Sequence, residues 1–301
     1  MFLPQKLYGV IGDPIGHSLS PVLHNAAFQA WGIPAVLLPW RIAAERLADF
    51  VAAARLLPVA GACVTIPHKE KMLSLVDRAT PLARAVGAVN TLYRDGDELV
   101  GHNTDVEGFL QPLYQRGEFP TALILGAGGA ARAVLAGLLS LDGVRRVLVT
   151  ARREEQARAL AGEVRALPDE HAALRTPPAV EIVPWNARHD VTADLVINTT
   201  PVGMSGGKAA FASPFTEFRG RGLAYDLIYQ ATPFLKAARA AGWETLNGRD
   251  MFVAQASAQF ILWTGFPLPD TALAALDEAI TRRSAEQAAY PTPSMQGASH
   301  A

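Results

Sequence analysis

The chain has a single cysteine, Cys63, among its 301 residues. That scarcity excludes an internal disulfide and any zinc site built on several thiolates, and it fits a reducing compartment. An excess of one charge is missing as well: 27 Lys and Arg stand against 28 Asp and Glu. No global field draws the chain to nucleic acid or to an anionic membrane, so a small molecule is the expected partner. No window reaches the ~18 uninterrupted apolar residues of a membrane span. The opening MFLPQKLYGVIGDPIGHS carries no basic leader followed by a long apolar stretch, and a cytoplasmic protein is expected. What the chain does have is 50% hydrophobic residues. It is too apolar for disorder and too long for one small core, which predicts two packed domains.

Short apolar runs alternate with helical stretches, the mark of an α/β layer fold. Leu7 to Ile11 reads as a strand stopped by Gly12, Asp13 and Pro14; Ser20 then reads as a helix N-cap, with Pro21 at the first helical position. Gly61 to Ile66 reads as another strand, and Pro67 as the opening of a helix over HKEKMLSLV that holds Lys69 in its first turn. AVNTLY and ELVGH flank the turn residues Arg94 to Asp97, a hairpin that brings Asn90 near the segment carrying Asp105.

From Pro120 a βαβα pattern begins, with further strands expected near EIVPW, DLVIN and LAYDL. After Gly248 come two apolar helical stretches, MFVAQASAQFILWTG and ALAALDEAITRRS, with no strand left to extend the second sheet. They are expected to pack back on the first domain. The predicted layout is a discontinuous catalytic domain over residues 1–106 with 248–286, a Rossmann-like domain over 107–247, and a frayed tail at 287–301.

Leu123-Ile124-Leu125-Gly126-Ala127-Gly128-Gly129-Ala130-Ala131 runs from a strand through glycines into a helix, a dinucleotide fingerprint of the G-x-G-x-x-A form. Gly126 permits the tight turn, Gly128 lets the backbone approach a pyrophosphate, and Ala131 allows close helix packing. The helix N-terminus supplies unsatisfied N–H donors to the anion. At the end of the following strand an NAD enzyme usually offers an acid to the ribose, whereas this chain has Thr150-Ala151-Arg152-Arg153. The planar guanidinium suits a 2′-phosphate bidentately, so Arg152 and Arg153 point to NADP, with Glu154 and Glu155 near enough in sequence to neutralise them instead. Thr199, in Asn198-Thr199-Thr200-Pro201-Val202-Gly203-Met204 after the strand DLVIN, falls at the carboxyl edge of the sheet and is a candidate contact for the nicotinamide ribose.

GDPIGHSLSPVLHN, GACVTIPHKEKM, VGAVNT, GHNTD, GAGGAARA, NTTPVGM and GRDMFVAQASAQFILWTG occur in an order and spacing that resemble the shikimate dehydrogenase family, from Tyr8 to Gly265. S-x-S-P-x-x-H-N, V-T-x-P-x-K and N-T-D are together far more specific than the glycine loop. The resemblance implies reversible NADPH-dependent reduction of 3-dehydroshikimate to shikimate, on the way to chorismate and the aromatic amino acids. It also implies that Ser18, Ser20 and Tyr229 hold the substrate carboxylate, while Thr65, Lys69, Asn90, Asp105 and Gln255 bond the ring hydroxyls. Gly248 joins Gly126 to Ala131, Arg152, Arg153 and Thr199 as cofactor-binding residues. Lys69 and Asp105 are the expected catalytic pair, Lys69 as acid/base and Asp105 orienting it and the substrate hydroxyl.

His17, His24 and His68 lie in separate contexts without companions at ligand spacing, so no metal is expected. Cys63 stands where the family commonly has Asn, Val106-Glu107 follow N-T-D where a glycine is frequent, and the Tyr229 to Thr232-Pro233 spacing is short. A quinate or aminoshikimate dehydrogenase, or a silent regulatory protein of the same fold, remain the alternatives. Retained Ser18, intact Lys69 and Asp105, and the lack of an added DNA-binding segment favour the shikimate enzyme. Monomer and homodimer are both compatible with the sequence.

Overall fold

A computed structural model describes residues 3–165, 176–203 and 212–289. The first sheet contains β1 (Lys6–Gly12), β2 (Ala35–Arg41), β3 (Val59–Val64), β4 (Arg78–Ala79), β5 (Thr91–Asp95) and β6 (Glu98–His102), in the order β2-β1-β3-β5-β6-β4. Strand β1 runs parallel to β2 and β3, while β5 is antiparallel to both β3 and β6. Its helices are α1 (Ser20–Ala30), α2 (Leu47–Leu56), α3 (Lys69–Met72) and α4 (Pro81–Val86), and α5 (Asp105–Leu110) leads out of it. Asp95 pairs with Glu98 across the β5–β6 hairpin, so Gly96 and Asp97 form the turn, within the segment the sequence marked for it.

The second sheet contains β7 (Thr121–Leu125), β8 (Arg146–Thr150), β9 (Ala179–Ile182), β10 (Leu195–Asn198), β11 (Leu223–Asp226) and β12 (Glu244–Leu246), with helices α6 (Gly129–Leu138), α7 (Glu154–Glu163) and α8 (Pro233–Ala240) between them. The order is β12-β11-β10-β7-β8-β9 and every pairing is parallel. Strands buried on both faces read as continuous apolar runs, and the last four residues of β7 are all buried. The strand order reverses between β7 and β10, which opens a crevice at their carboxyl ends.

Helices α9 (Arg249–Thr264) and α10 (Asp270–Ala289) complete the core of the first sheet. Phe260 and Trp263 of α9 pack with Tyr8 and Phe28, the Phe28 and Phe260 rings 5.3 Å apart. The Trp263 indole donates to the Leu92 carbonyl at 2.9 Å. Each such buried ring stabilises by ~1.5–3 kcal/mol relative to exposure. Helices α5 and α9 cross closely because Gly108 lacks a side chain: a Cβ there would lie 2.8 Å from the Met251 carbonyl oxygen and 2.9 Å from Gln255 Cβ. The crossing sets Gln255 beside the helix that begins with Asp105.

Several local expectations are corrected. Ser20 is the first residue of α1 rather than its cap; its backbone N–H instead donates to the Ser18 hydroxyl at 3.3 Å. Helix α3 has four residues and Pro67 lies in the turn before it, the chain leaving the helix so that Asp77 N–H can bond the Leu99 carbonyl. The one-residue overhang of β1 and the earlier start of β3 are small, but β2, β4 and β12 are strands the sequence reading lacked. The terminal helix runs to Ala289, past the expected start of the tail, and residues 290–301 lie outside the described residues, as does Met204.

Candidate active site

The loop after β1, the end of β3, the N-terminus of α3, the hairpin, α5 and α9 converge on one cavity of about 220 Å³. Ser18, Ser20, Thr65, Lys69, Asn90, Asp105, Tyr229 and Gln255 all line it. That volume lies below the ~300–1,000 Å³ of drug-sized sites and suits a small polar molecule. A larger groove of about 700 Å³, between α5 and α9, holds none of these residues.

At the centre, Lys69 Nζ donates to Asp105 Oδ2 at 2.6 Å, with the two side chains 14% and 6% exposed. The other carboxylate oxygen, Oδ1, accepts from Asn90 Nδ2 at 2.8 Å. Asn90 is locked in turn, because its Oδ1 accepts from the Thr104 N–H at 2.8 Å and the Thr91 hydroxyl at 2.7 Å. Asn103 Oδ1 takes the Asp105 N–H at 3.0 Å, and its amide donates to the Ala88 carbonyl. A nearly buried ion pair needs its remaining hydrogen-bonding capacity met, and here both Asp105 oxygens are engaged, Oδ2 by Lys69 and Oδ1 by Asn90. Helix α3 is only one turn long, so its dipole acts weakly on the ammonium beside the 2.6 Å carboxylate contact.

Ser18, Ser20 and Tyr229 line the same cavity, and the Tyr229 hydroxyl donates to the His17 carbonyl at 3.0 Å. Burial raises the Tyr229 pKa, so the phenol stays neutral, its one proton on the His17 carbonyl. Gln255 Nε2 donates to the Phe252 carbonyl of its own helix at 2.9 Å.

The glycine loop meets this cavity directly. Gly126 adopts φ +114°, and a Cβ there would lie 2.5 Å from Thr199 Oγ1. A Cβ on Gly128 would meet no protein atom within 4 Å, whereas one on Gly129 would press on Lys69, 3.1 Å from its Cβ. Helix α6 begins at Gly129 with no side-chain cap, leaving the first-turn N–H groups of Gly129, Ala130 and Ala131 for an anion. Ala130 and Gly248 line the same cavity as Lys69; Ala127, Thr199, Arg152 and Arg153 do not. The Thr199 hydroxyl donates to the Leu125 carbonyl at 2.8 Å, tying the ends of β10 and β7. Arg152 and Arg153 are exposed after β8, and Glu154 pairs with Arg158 rather than with either. Among the described residues, neither guanidinium has a carboxylate partner.

Buried Asp226, at the end of β11, accepts from the Thr232 hydroxyl at 2.6 Å, Asn198 Nδ2 at 3.0 Å and the Ile228 N–H at 3.1 Å. Burial raises its pKa to about 7, with the three donors pulling the other way. Asn198 Oδ1 also holds Thr200, so one network shapes both loops beside the crevice.

Sequence reasoning missed Gln259, which lies one turn after Gln255 on the same face of α9. It lines the cavity floor, donating to Thr91 Oγ1 at 2.9 Å and accepting from the Cys63 thiol at 3.3 Å. Its helical spacing from Gln255 was the available signal. Leu227, Met251 and Phe252 also wall the cavity, the last two from within the GRDMFVAQ segment. His24 is buried beside the Phe260 and Trp263 rings, which holds its pKa down to about 3. His68 is buried on the Ile42 carbonyl at 2.7 Å. No metal-ligating cluster of His, Cys, Asp or Glu occurs among the described residues. No helix among them is long and apolar enough to cross a membrane.

Residues 10–92 match the shikimate dehydrogenase substrate binding domain. The chain is 48% identical over 284 residues to a shikimate dehydrogenase (NADP(+)) of Pelobacter propionicus, covering 92% of this chain and 97% of that one. It is 49% identical over 273 residues to the enzyme of the same name from Oleidesulfovibrio alaskensis, covering 89% and 92%. A crystal structure of shikimate 5-dehydrogenase from Thermus thermophilus in complex with NADP(H) and shikimate superposes with a TM-score of 0.74 at 34% identity, covering 92% of this chain and 99% of that one. With this fold and with similarity along nearly its whole length, the chain belongs to the shikimate dehydrogenase family.

Proposed function

We propose that this protein catalyses the reversible NADPH-dependent reduction of 3-dehydroshikimate to shikimate, a step of aromatic amino-acid biosynthesis. The observation that carries the reading is the convergence, on one cavity of about 220 Å³, of the Lys69–Asp105 pair, the Ser18, Ser20 and Tyr229 end, and the start of the glycine-loop helix at Ala130. The ion pair suits proton transfer, the two serines and the tyrosine a carboxylate, and the helix start a dinucleotide. The working layout is a catalytic domain of residues 1–106 with 248–286 and a cofactor domain of 107–247.

The residues present fit NADP. A cradle open at Gly128, uncapped N–H groups at the start of α6, and two exposed guanidiniums without carboxylate partners match a pyrophosphate and a 2′-phosphate. Gly126 to Ala131, Thr199, Gly248, Arg152 and Arg153 would hold it, and NADPH when bound supplies the hydride. Lys69 Nζ delivers a proton to the substrate carbonyl oxygen as negative charge develops there, and takes it back in the oxidative direction. Asp105 holds the ammonium in place through the 2.6 Å contact and orients the substrate hydroxyl. Ser18, Ser20 and Tyr229 anchor the carboxylate, while Thr65, Asn90 and Gln255 bond ring hydroxyls. A site that satisfies several hydroxyls rejects analogues that lack them, because its own polar groups are then left unpaired.

Reaction with NADPH carrying deuterium at the transferable nicotinamide position tests the reading. Shikimate one mass unit heavier is the expected product; unlabelled shikimate, or no product, would contradict it.

A further inference from the structure

Helix α10 packs on the first domain through Ala272, Leu276 and Ala279, all buried. Positions i, i+4, i+7 and i+11 share one helix face, so the next position on this stripe is Arg283. An arginine there interrupts an otherwise apolar seam. Arg249 fixes the placement of α10 by gripping Asp277 with two nitrogens, at 2.6 and 2.7 Å. Arg283 Nη1 donates to the His17 carbonyl at 2.5 Å, and the Tyr229 hydroxyl donates to the same oxygen at 3.0 Å. His17, Ser18 and Tyr229 line the cavity whereas Arg283 does not, so the guanidinium stands behind this wall, on the carbonyl that Tyr229 also bonds.

Among the described residues no carboxylate pairs with Arg283. His17 does not supply a competing cation, because burial first and repulsion from Arg283 second lower its pKa and leave it neutral at pH 7. The Lys69 ammonium, in the same cavity, is already paired with Asp105. Serine hydroxyls bond a carboxylate more strongly than an uncharged carbonyl, but they carry no net charge of their own to exclude the neutral group. A fixed cation discriminates between the two.

We propose that Arg283 is a specificity-determining residue, a positive charge held by the His17 carbonyl and Tyr229 that makes the Ser18 end of the cavity select a carboxylate over a neutral substituent. The proposal rests on the functional reading above and deepens it. The guanidinium is partly exposed, so the expected effect is about tenfold, the size of one partly screened interaction.

The test compares wild type, Arg283→Gln and Arg283→Lys on shikimate and on its methyl ester, with NADP. Arg283→Gln keeps an amide donor, on a shorter side chain, without the charge. It should lower kcat/KM for shikimate about tenfold through KM, leave kcat and the ester's kcat/KM within about twofold, and abolish the salt dependence of the acid-over-ester preference. Arg283→Lys should retain most of that preference. An equal loss on acid and ester, which a purely structural cap on His17 would give, or no loss on either, would overturn the role of Arg283 while leaving the enzyme a shikimate dehydrogenase. A wild-type protein inactive on shikimate would overturn both.

Discussion

On the first sheet's side of the cleft the walls are side chains that already bond one another: Lys69 to Asp105, Asp105 to Asn90, Asn90 to Thr104. On the second sheet's side they are mainly backbone, with Gly126, Gly128 and Gly129 contributing by what they lack. A polyhydroxylated acid is recognised by many directed side-chain partners, whereas a pyrophosphate needs N–H groups and unobstructed approach. The contrast teaches that damage on the two sides should have different signatures. Removing atoms should harm the first side, and adding atoms the second.

Lys69→Ala should show the largest effect, a fall in kcat of about 10² to 10⁴-fold with a smaller change in KM. A variant with near-wild-type kcat and only weaker substrate binding would remove the acid/base role. Next comes Gly126→Ala, where a φ of +114° and a Cβ 2.5 Å from Thr199 Oγ1 combine strain with a clash. It should cost on the order of 1–3 kcal/mol and lower Tm by several degrees, read by thermal unfolding without cofactor.

Gly128→Ala sharpens the comparison further, since its Cβ would meet no protein atom. It should raise KM for NADP about tenfold by crowding the anion, and Tm without cofactor should stay within about a degree. A matching loss of stability would show that Gly128 serves the fold rather than the ligand. Replacing Arg152 and Arg153 together by Gln should raise KM for NADP about tenfold and leave KM for NAD nearly unchanged.

The two sides also contain buried titratable groups of opposite sign. His24, beneath the substrate cavity, has its pKa lowered from 6.5 to about 3. The unfolded chain therefore binds a proton that the native one refuses, and stability falls as pH drops from about 6.5 towards 3. Asp226, on the cofactor side, has its pKa raised from 3.8 to about 7. The native chain keeps a proton that the unfolded one releases, so stability falls as pH rises from about 4 towards 7. In the shared window the slopes oppose, each at most ~1.4 kcal/mol per pH unit. Asp226→Asn should uncover the histidine's slope, giving a Tm that rises with pH between about 4 and 6.5 more steeply than in wild type. An unchanged profile would mean the Thr232, Asn198 and Ile228 donors keep Asp226 ionised.

Legibility in the sequence followed the same divide. The glycine loop and the strand before it were plain because strand, turn and helix N-terminus are adjacent in the chain. The α/β class followed from alternating apolar runs, and the Asn90–Asp105 approach from a short hairpin. Ser20 misled because the hydroxyl that takes an N–H at that helix start belongs to Ser18, two residues earlier. HKEKMLSLV reads as a longer helix, but pairing of Asp77 with Leu99, a tertiary contact, ends α3 after Met72. Strand β12 has three residues, too few to show a period. Gln259 was legible only through its one-turn spacing from Gln255, and Arg283 comes behind the cavity wall through packing of the last helix on the first sheet, which local pattern does not encode.

Initial rates of NADPH formation by the purified protein, with shikimate and quinate each paired with NADP and NAD, test the central claim most directly. Fast turnover confined to shikimate with NADP is the predicted result. Turnover favouring quinate, or tight binding without turnover in any of the four combinations, would contradict it.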